Sequence, residues 1–246
     1  MNPLSENNVV IVTHEATTGP AHEIRDYLVS KVKTLTFIAH PLLFIPSTRQ
    51  KRSYCEKYTQ GSKTSRKEGI FLRGPEALLY LKDCFYSFVW ILFSSEKYDV
   101  FIGSGNINAF VGLLLKKLGK VRKVIFYCVD YVPVRFKNRL LNKFYHWIDR
   151  ICYRNCDFTW NLSERMIEAR EKLGLKRESK HLVVPHGVHF ERIERLPFDQ
   201  INKAEIVYMG TLLEKQGIQY LIQALPLVRK EISDITFTVI GGGPYE

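Results

Sequence analysis

The apolar residues of this 246-residue chain fall into short, nearly continuous runs separated by longer amphipathic stretches. That alternation limits the fold more than any other feature. Runs at 9–13, 34–39, 99–102, 124–129, 158–161 and 181–184 are apolar at most successive positions, as in strands buried on both faces. Between them, 20–30, 75–95, 106–118, 137–155 and 163–173 have helical spacing. Strand–helix alternation of this kind predicts a parallel sheet covered on both sides, a Rossmann-like domain. Apolar residues make up 46% and charged residues 25%, which excludes disorder and collagen-like repetition.

After 184 the pattern restarts. A polar stretch, 185–203, reads as a linker, and a new βαβ unit follows with strand 205–209, helix 216–231 and strand 236–240. The predicted organisation is an N-terminal domain over 1–184, a hinge, and the start of a second Rossmann-like domain over 204–246. Domains typically run to about 100–150 residues, so the second is expected to be incomplete.

One interval breaks the alternation. Residues 45–73 are polar and carry Arg49, Lys51, Arg52, Lys57, Lys63, Arg66, Lys67 and Arg73 against Glu56 and Glu68. They read as a long basic loop, either functional or disordered. The whole chain has a formal net charge of +11, which points to an anionic partner without choosing among nucleic acid, lipid headgroup and phosphorylated substrate. Five scattered cysteines with no CxxC pair read as reduced thiols in a cytosolic protein. The N-terminus lacks a basic n-region and a long apolar run, so no signal peptide is expected. The most hydrophobic stretch, 84–93, is shorter than the roughly 20 residues of a membrane span and is expected to be a core helix, with Lys82-Asp83 interrupting it.

Three loops are predicted at strand ends, the edge at which open α/β sheets bind ligands. Thr17-Thr18-Gly19-Pro20 follows the first strand. Gly19 would let backbone approach a phosphate, and Pro20 suits the first turn of the next helix. Gly103-Ser104-Gly105-Asn106 looks like half of a dinucleotide fingerprint, but Asn108 stands where its last glycine or alanine belongs, so a dehydrogenase reading is disfavoured. The third loop is 130–135. There Asp130 could accept a hydrogen bond from an acceptor hydroxyl and Arg135 could hold a phosphate, or the two could simply pair. His14 stands near the same edge. The histidines at 14, 22, 40, 186 and 189 share no ligand spacing, and no metal site is expected.

The segment 138–154 forms a basic amphipathic helix in projection. Arg139, Lys143, His146, Arg150 and Arg154 share one side, with Leu141, Phe144, Ile148, Ile151 and Cys152 opposite. Eleven basic residues between Lys116 and Arg154 face only Asp130 and Asp149. The stripe suits an anionic membrane surface, or is a solvated face whose apolar side packs into the core. It lacks interleaved aromatics, so nucleic acid is not expected as a partner.

The second unit carries the most specific sequence. The stretches IVYMGTLLEKQGIQYLIQAL (206–225) and TVIGGGPYE (238–246) resemble the start of the donor domain of family 4 glycosyltransferases, retaining nucleotide-sugar enzymes of the GT-B fold. VPHGVH (184–189) resembles their interdomain hinge, and WNLS (160–163) the strand-to-helix corner before it. The resemblance implies a GT-B-like α/β fold and transfer of a sugar from a nucleotide-sugar to a lipid-linked or glycan acceptor. It implies no cofactor beyond the donor, and a cytoplasmic enzyme that docks peripherally on the membrane. Gly19, Gly210, Thr211 and Lys215 would contact the donor phosphates. His14, Thr18, Gly105, Asn106, Asp130 and Arg135 would line the acceptor cleft. Two departures stand out: Thr211 replaces the family's arginine, and Gln216 its lysine, with Lys215 one step earlier. The family's glutamate pair would lie beyond Glu246. The other reading is therefore an inactive acceptor-binding or scaffold subunit whose donor half comes from a partner chain.

Overall fold

The computed structural model describes residues 3–42, 50–187, 193–243 and 245. Residues 45–49 of the basic stretch, 188–192 of the hinge with His189, and Pro244 and Glu246 of the last motif lie outside the described residues. The chain divides into two compact units, Met1–Gly187 and Val188–Glu246.

In the first unit the strands are β1 (Asn8–Thr13), β2 (Thr34–Ala39), β3 (Tyr54–Thr59), β4 (Ser62–Glu68), β5 (Tyr98–Ser104), β6 (Val121–Cys128), β7 (Phe158–Asn161) and β8 (His181–Val183). The helices are α1 (Pro20–Leu28), α2 (Glu76–Leu92), α3 (Asn106–Lys117), α4 (Arg139–Asn155) and α5 (Glu164–Glu171). The strands make one sheet in the order β4-β3-β2-β1-β5-β6-β7-β8. From β2 through β8 every neighbouring pair is parallel. Strand order reverses at β1, whose neighbours are β2 and β5, and this reversal is the switch point at which such sheets bind ligands.

Side chains alternate across the sheet with the two-residue strand period. Val10, Val12, Phe101, Val124 and Phe126 pack on one face with α2, α3 and α4, and Val9, Ile11, Phe37, Ile102 and Ile125 on the other with α1. Burying both faces explains why these strands read as continuous apolar runs. Local signals set the helix starts. Pro20 stands in the first turn of α1, and the Asn138 side chain caps α4 by accepting from the amides of Leu140 and Leu141 at 2.9 and 3.1 Å.

The structure corrects the sequence reading in three places. Residues 45–73 are not one long loop, because β3 and β4 form a hairpin that extends the sheet antiparallel to β2. Its turn uses Gln60 and Gly61 at φ 48° and 85°, the left-handed pair that a two-residue hairpin loop requires. β3 is anchored by Glu56, which accepts from Tyr58 (2.6 Å), Lys63 (3.2 Å) and Arg66 (2.9 Å). β4 is the sheet edge, and all seven of its residues are exposed, so it carries no apolar alternation to read. Second, the apolar side of α4 is only partly core. Ile148 and Cys152 are buried, whereas Leu141 and Phe144 are exposed. Third, α2 is not buried all round. Leu79, Asp83, Ser87 and Ile91 face inward while Leu81, Phe85 and, beyond its end, Phe93 are exposed. Lys82 and Asp83, which seemed to interrupt the apolar run, are both turned inward, with side chains 8% and 3% exposed. Among the described residues no helix is long and apolar enough to cross a membrane.

The second unit contains β9 (Glu205–Met209), α6 (Ile218–Glu231) and β10 (Thr236–Ile240), with β9 and β10 parallel. Val207, Met209, Val239 and Ile240 on these strands remain exposed.

Candidate active site

At the switch point, a cavity of about 210 Å³ opens where β1, β5 and β6 end. His14 and Glu15 follow β1, Gly105 and Asn106 follow β5, and Asp130 follows β6, while Tyr80 of α2, Tyr145 of α4 and Arg135 close the sides. Five of the residues expected at the cleft therefore meet here: His14, Gly105, Asn106, Asp130 and Arg135. Thr18 is exposed and is not among the residues that line it.

His14 is held through Nδ1 and turns Nε2 towards a carboxylate. The Asn108 side-chain nitrogen donates to the Ser104 carbonyl at 2.7 Å and lies 3.0 Å from His14 Nδ1. An amide nitrogen can only donate, so Nδ1 accepts, and Nε2 lies 3.5 Å from Asp83 Oδ2. Position 108, where a dinucleotide fingerprint would need a minimal side chain, thus carries the amide that orients His14. The close strand–helix packing falls to Gly103, where an added Cβ would lie 2.4 Å from the Ala109 nitrogen.

Asp83 is the hub behind this wall. Its carboxylate receives Ser53 Oγ at 3.0 Å and Lys82 Nζ at 2.6 Å, and lies 3.3 Å from His40 Nδ1. His40 Nε2 meets Ser87 Oγ at 2.7 Å. Burial alone would lift the Asp83 carboxyl, but the hydrogen bonds of His14 and His40 outweigh it and hold the group well below the usual range. Burial pushes His40 down to about 4, so the ring is neutral beside an ionised Asp83. Lys82, Asp83 and Ser87 put this charge under the cavity from one helix face, at a spacing the apolar pattern of α2 conceals.

Glu15 is the residue that sequence reasoning missed. It follows His14 directly, and burial, then the charge of Asp130, push its carboxyl up to about 7. Its Oε2 is buried and makes no hydrogen bond. The carboxyl lies against Gly19, where an added Cβ would be only 2.1 Å from Oε2. The glycine loop before α1 therefore packs against a carboxyl, and an anion could come close only with Glu15 protonated or displaced.

Arg135 enters from the loop after β6. Its Nη2 donates to Glu76 Oε1 at 2.7 Å and meets the Tyr80 hydroxyl at 2.6 Å. The guanidinium lies 5.1 Å from the Phe136 ring centroid. The Asn106 side chain is committed locally, donating to the Tyr145 carbonyl at 3.0 Å and accepting from the Ile107 amide at 2.8 Å. Chemically the cavity offers a carboxyl that titrates near neutrality, an exposed carboxylate at Asp130, a cation and two phenols. That set can hold a polyhydroxylated ligand and exchange a proton with one of its hydroxyls.

In the second unit, the loops after β9 and β10 run side by side. The Gly210 amide donates to the Ile240 carbonyl at 2.9 Å and the Leu212 amide to the Gly242 carbonyl at 3.1 Å. An added Cβ would lie 1.8 Å from the Gly210 oxygen at position 241 and 2.4 Å from the Leu212 oxygen at position 243. Only glycine permits this approach. Thr211 and Lys215 are exposed, and Lys215 lies in a 3-10 turn, 214–216, ended by Gly217 at φ 77°.

The structure is similar to the catalytic domain of starch synthase IV from Arabidopsis thaliana bound to ADP and acarbose. The TM-score is 0.60 at 10% identity, over 98% of this chain and 69% of that one. TarM matches at a TM-score of 0.49 and 10% identity, over 80% of this chain and 47% of its own. A mutant of S. aureus TarM in complex with Fondaparinux, alpha-GlcNAc-glycerol and UDP matches at 0.45 and 12%, over 79% of this chain and 47% of its own. The chain thus spans less than half of either TarM chain. The fold is α/β and GT-B-like. The sequence matches no protein-family model and no curated protein.

Proposed function

We propose that the chain is a glycosyltransferase that moves a sugar from a nucleotide-sugar to a glycan or lipid-linked acceptor. The observation that carries the reading is the cavity at the β1/β5 switch point of a fold similar to a catalytic domain bound to ADP and acarbose. In this reading the first unit receives the acceptor, the second begins the donor side, and 185–203 is the hinge. Family 4 membership is supported by the motifs at 206–225 and 238–246.

The roles follow from charge and position. Arg135 draws an anionic or hydroxyl-rich acceptor into the cavity, and Asp130 and Glu15 accept its hydroxyl protons. The paired glycine loops pack on each other and leave Thr211 and Lys215 exposed beside them, where Lys215 adds the cation that offsets charge developing on the leaving group. No metal or cofactor is invoked, and the enzyme would work at the cytoplasmic face of a membrane. The second reading, an acceptor-binding subunit completed by a partner chain, is favoured by Thr211 and Gln216 at the family's basic positions.

The test is calorimetric titration of the chain with UDP, GDP and ADP, followed by incubation with the matching nucleotide-sugars and a glycan acceptor. Nucleoside diphosphate binding with acceptor-dependent release is the expected result. Acceptor binding without nucleotide binding would establish the subunit reading, and binding of neither would overturn both.

A further inference from the structure

The basic interval 45–73 has no part in the reading above, and the structure divides its described cations into two sets. Lys57 pairs with Glu96, and Lys63 and Arg66 pair with Glu56, while Lys67 lies 5.6 Å from the centroid of the Trp90 ring. Lys51, Arg52 and Arg73 are exposed and make no ion pair among the described residues. Arg52 feels the charge of Glu68, but that carboxylate is bonded to Arg66 at 2.8 Å. The three are brought together by the hairpin. Pairing of β3 with β4 closes with the Gly69 amide donating to the Ser53 carbonyl at 2.8 Å, so the chain entering the hairpin runs beside the chain leaving it. Lys51 and Arg52 from one side and Arg73 from the other then line a single cavity of about 560 Å³, walled also by Phe71, Glu76 and Leu79.

The walls define the occupant. Three like charges turned onto one space repel one another until an anion fills it, and three cations match a dianion better than a single charge. The sequence of 43–49, which precedes these residues, adds Arg49 and no acid. Glu76 is the one acidic side chain in the wall, and its carboxylate is engaged, accepting from Arg135 Nη2 at 2.7 Å. The 17-residue helix α2 begins in this wall with no side-chain cap, which adds positive potential to that of the three cations. The volume is that of a small-molecule pocket, in the range of roughly 300–1,000 Å³, and exceeds what a bare anion fills. Phe71, 40% exposed and 5.4 Å by its ring centroid from the Arg73 guanidinium, offers an apolar face beside the charge. This pocket and the switch-point cavity share no lining residue among those described.

We propose that the pocket binds a small phosphate monoester, its dianion on Lys51, Arg52 and Arg73 and its organic body against Phe71. A phosphate monoester carries nearly two charges at neutral pH, and arginine forks match its oxygens. The site is distinct from the switch-point cavity and does not depend on the glycosyltransferase reading. It gives the basic interval a use that only the hairpin creates, since Arg52 and Arg73 stand far apart along the chain.

The test is calorimetric titration of the chain near neutral pH with glucose 6-phosphate, glucose 6-sulfate and inorganic phosphate. Glucose 6-phosphate is expected to bind about tenfold more tightly than inorganic phosphate, as burial of roughly 55 Å² of apolar surface would give. It is also expected to bind about tenfold more tightly than the singly charged sulfate ester. Lys51→Ala/Arg52→Ala, both positions being exposed, weakens glucose 6-phosphate about tenfold or more and leaves the thermal melt unchanged. Phe71→Ser removes the preference over inorganic phosphate and leaves the affinity for inorganic phosphate as it was. Absence of glucose 6-phosphate binding, equal affinity for the three probes, or a preference that survives Phe71→Ser overturns the proposal. So does binding that survives in the double variant and tightens in Asp130→Asn, because the anion would then lie in the switch-point cavity.

Discussion

The carboxyl of Glu15 occupies the space that a side chain at Gly19 would need, with Oε2 only 2.1 Å from the position of a Cβ there. The two residues therefore constrain each other. Glu15→Gln keeps the shape and removes the titration. A carboxyl raised from 4.5 to about 7 favours the folded state below pH 4.5, and that contribution is lost as pH rises through about 7. Thermal melts should show Glu15→Gln more stable than the parent above pH 7 and equal to it below pH 4.5. Equal stability at pH 8 would mean that the carboxyl is well solvated.

A second prediction concerns His22, which is buried at the start of α1, edge-on to Phe37 at 4.9 Å. Burial, and then Arg25, push it from 6.5 down to about 4. The unfolded chain binds the proton first, so stability falls as pH drops from 6.5 towards 4, by on the order of 3 kcal/mol. His22→Phe should flatten this limb of the pH–stability curve. An unchanged limb would assign it to other groups.

Arg170 is fully buried and grips Asp149 through two hydrogen bonds, Nε at 2.9 Å and Nη2 at 2.8 Å, while Nη1 reaches Asn161 at 3.2 Å. It ties α5 to α4 and β7. Arg170→Met leaves Asp149 buried and unpaired, and should cost about 3–5 kcal/mol in urea unfolding. Arg170→Met combined with Asp149→Leu should recover most of that loss. A double variant no better than the single would show that the pair's geometry, rather than its charge, holds these elements.

Lys215 gives the direct check on the proposed donor side. Lys215→Ala removes one exposed cation and no packing, so folding should be unaffected and nucleoside diphosphate affinity should fall about tenfold or more. Unchanged affinity in calorimetry would take Lys215 out of the phosphate site.

What the sequence made legible follows from burial. β1, β2, β5 and β6 were readable because both faces are apolar, and α4 because its charges share one side and Asn138 caps it. The β3–β4 hairpin was not readable. β4 faces solvent throughout, and its turn uses Gln60-Gly61 rather than an Asn-Gly or Asp-Gly pair. His14, Gly105, Asn106, Asp130 and Arg135 were legible as strand-end residues. Glu15 and Asp83 were not, since nothing local separates a carboxylate that turns inward from one that stays in water. Asp83 turns inward because Ser53, His14 and His40, distant in sequence, satisfy it there.

The exposed row on β4 bears on the chain's basic balance. An edge strand offers unpaired amides and carbonyls to any passing strand, and lysine or arginine side chains along it make such pairing repulsive. Lys63, Arg66 and Lys67 stand along that edge. Part of the net charge of +11 is then a barrier to self-association rather than a lure for a ligand. Neutralising those three residues would leave the switch-point cavity untouched, take from Glu56 the two cations that hold it, and turn the sheet edge into a template for aggregation.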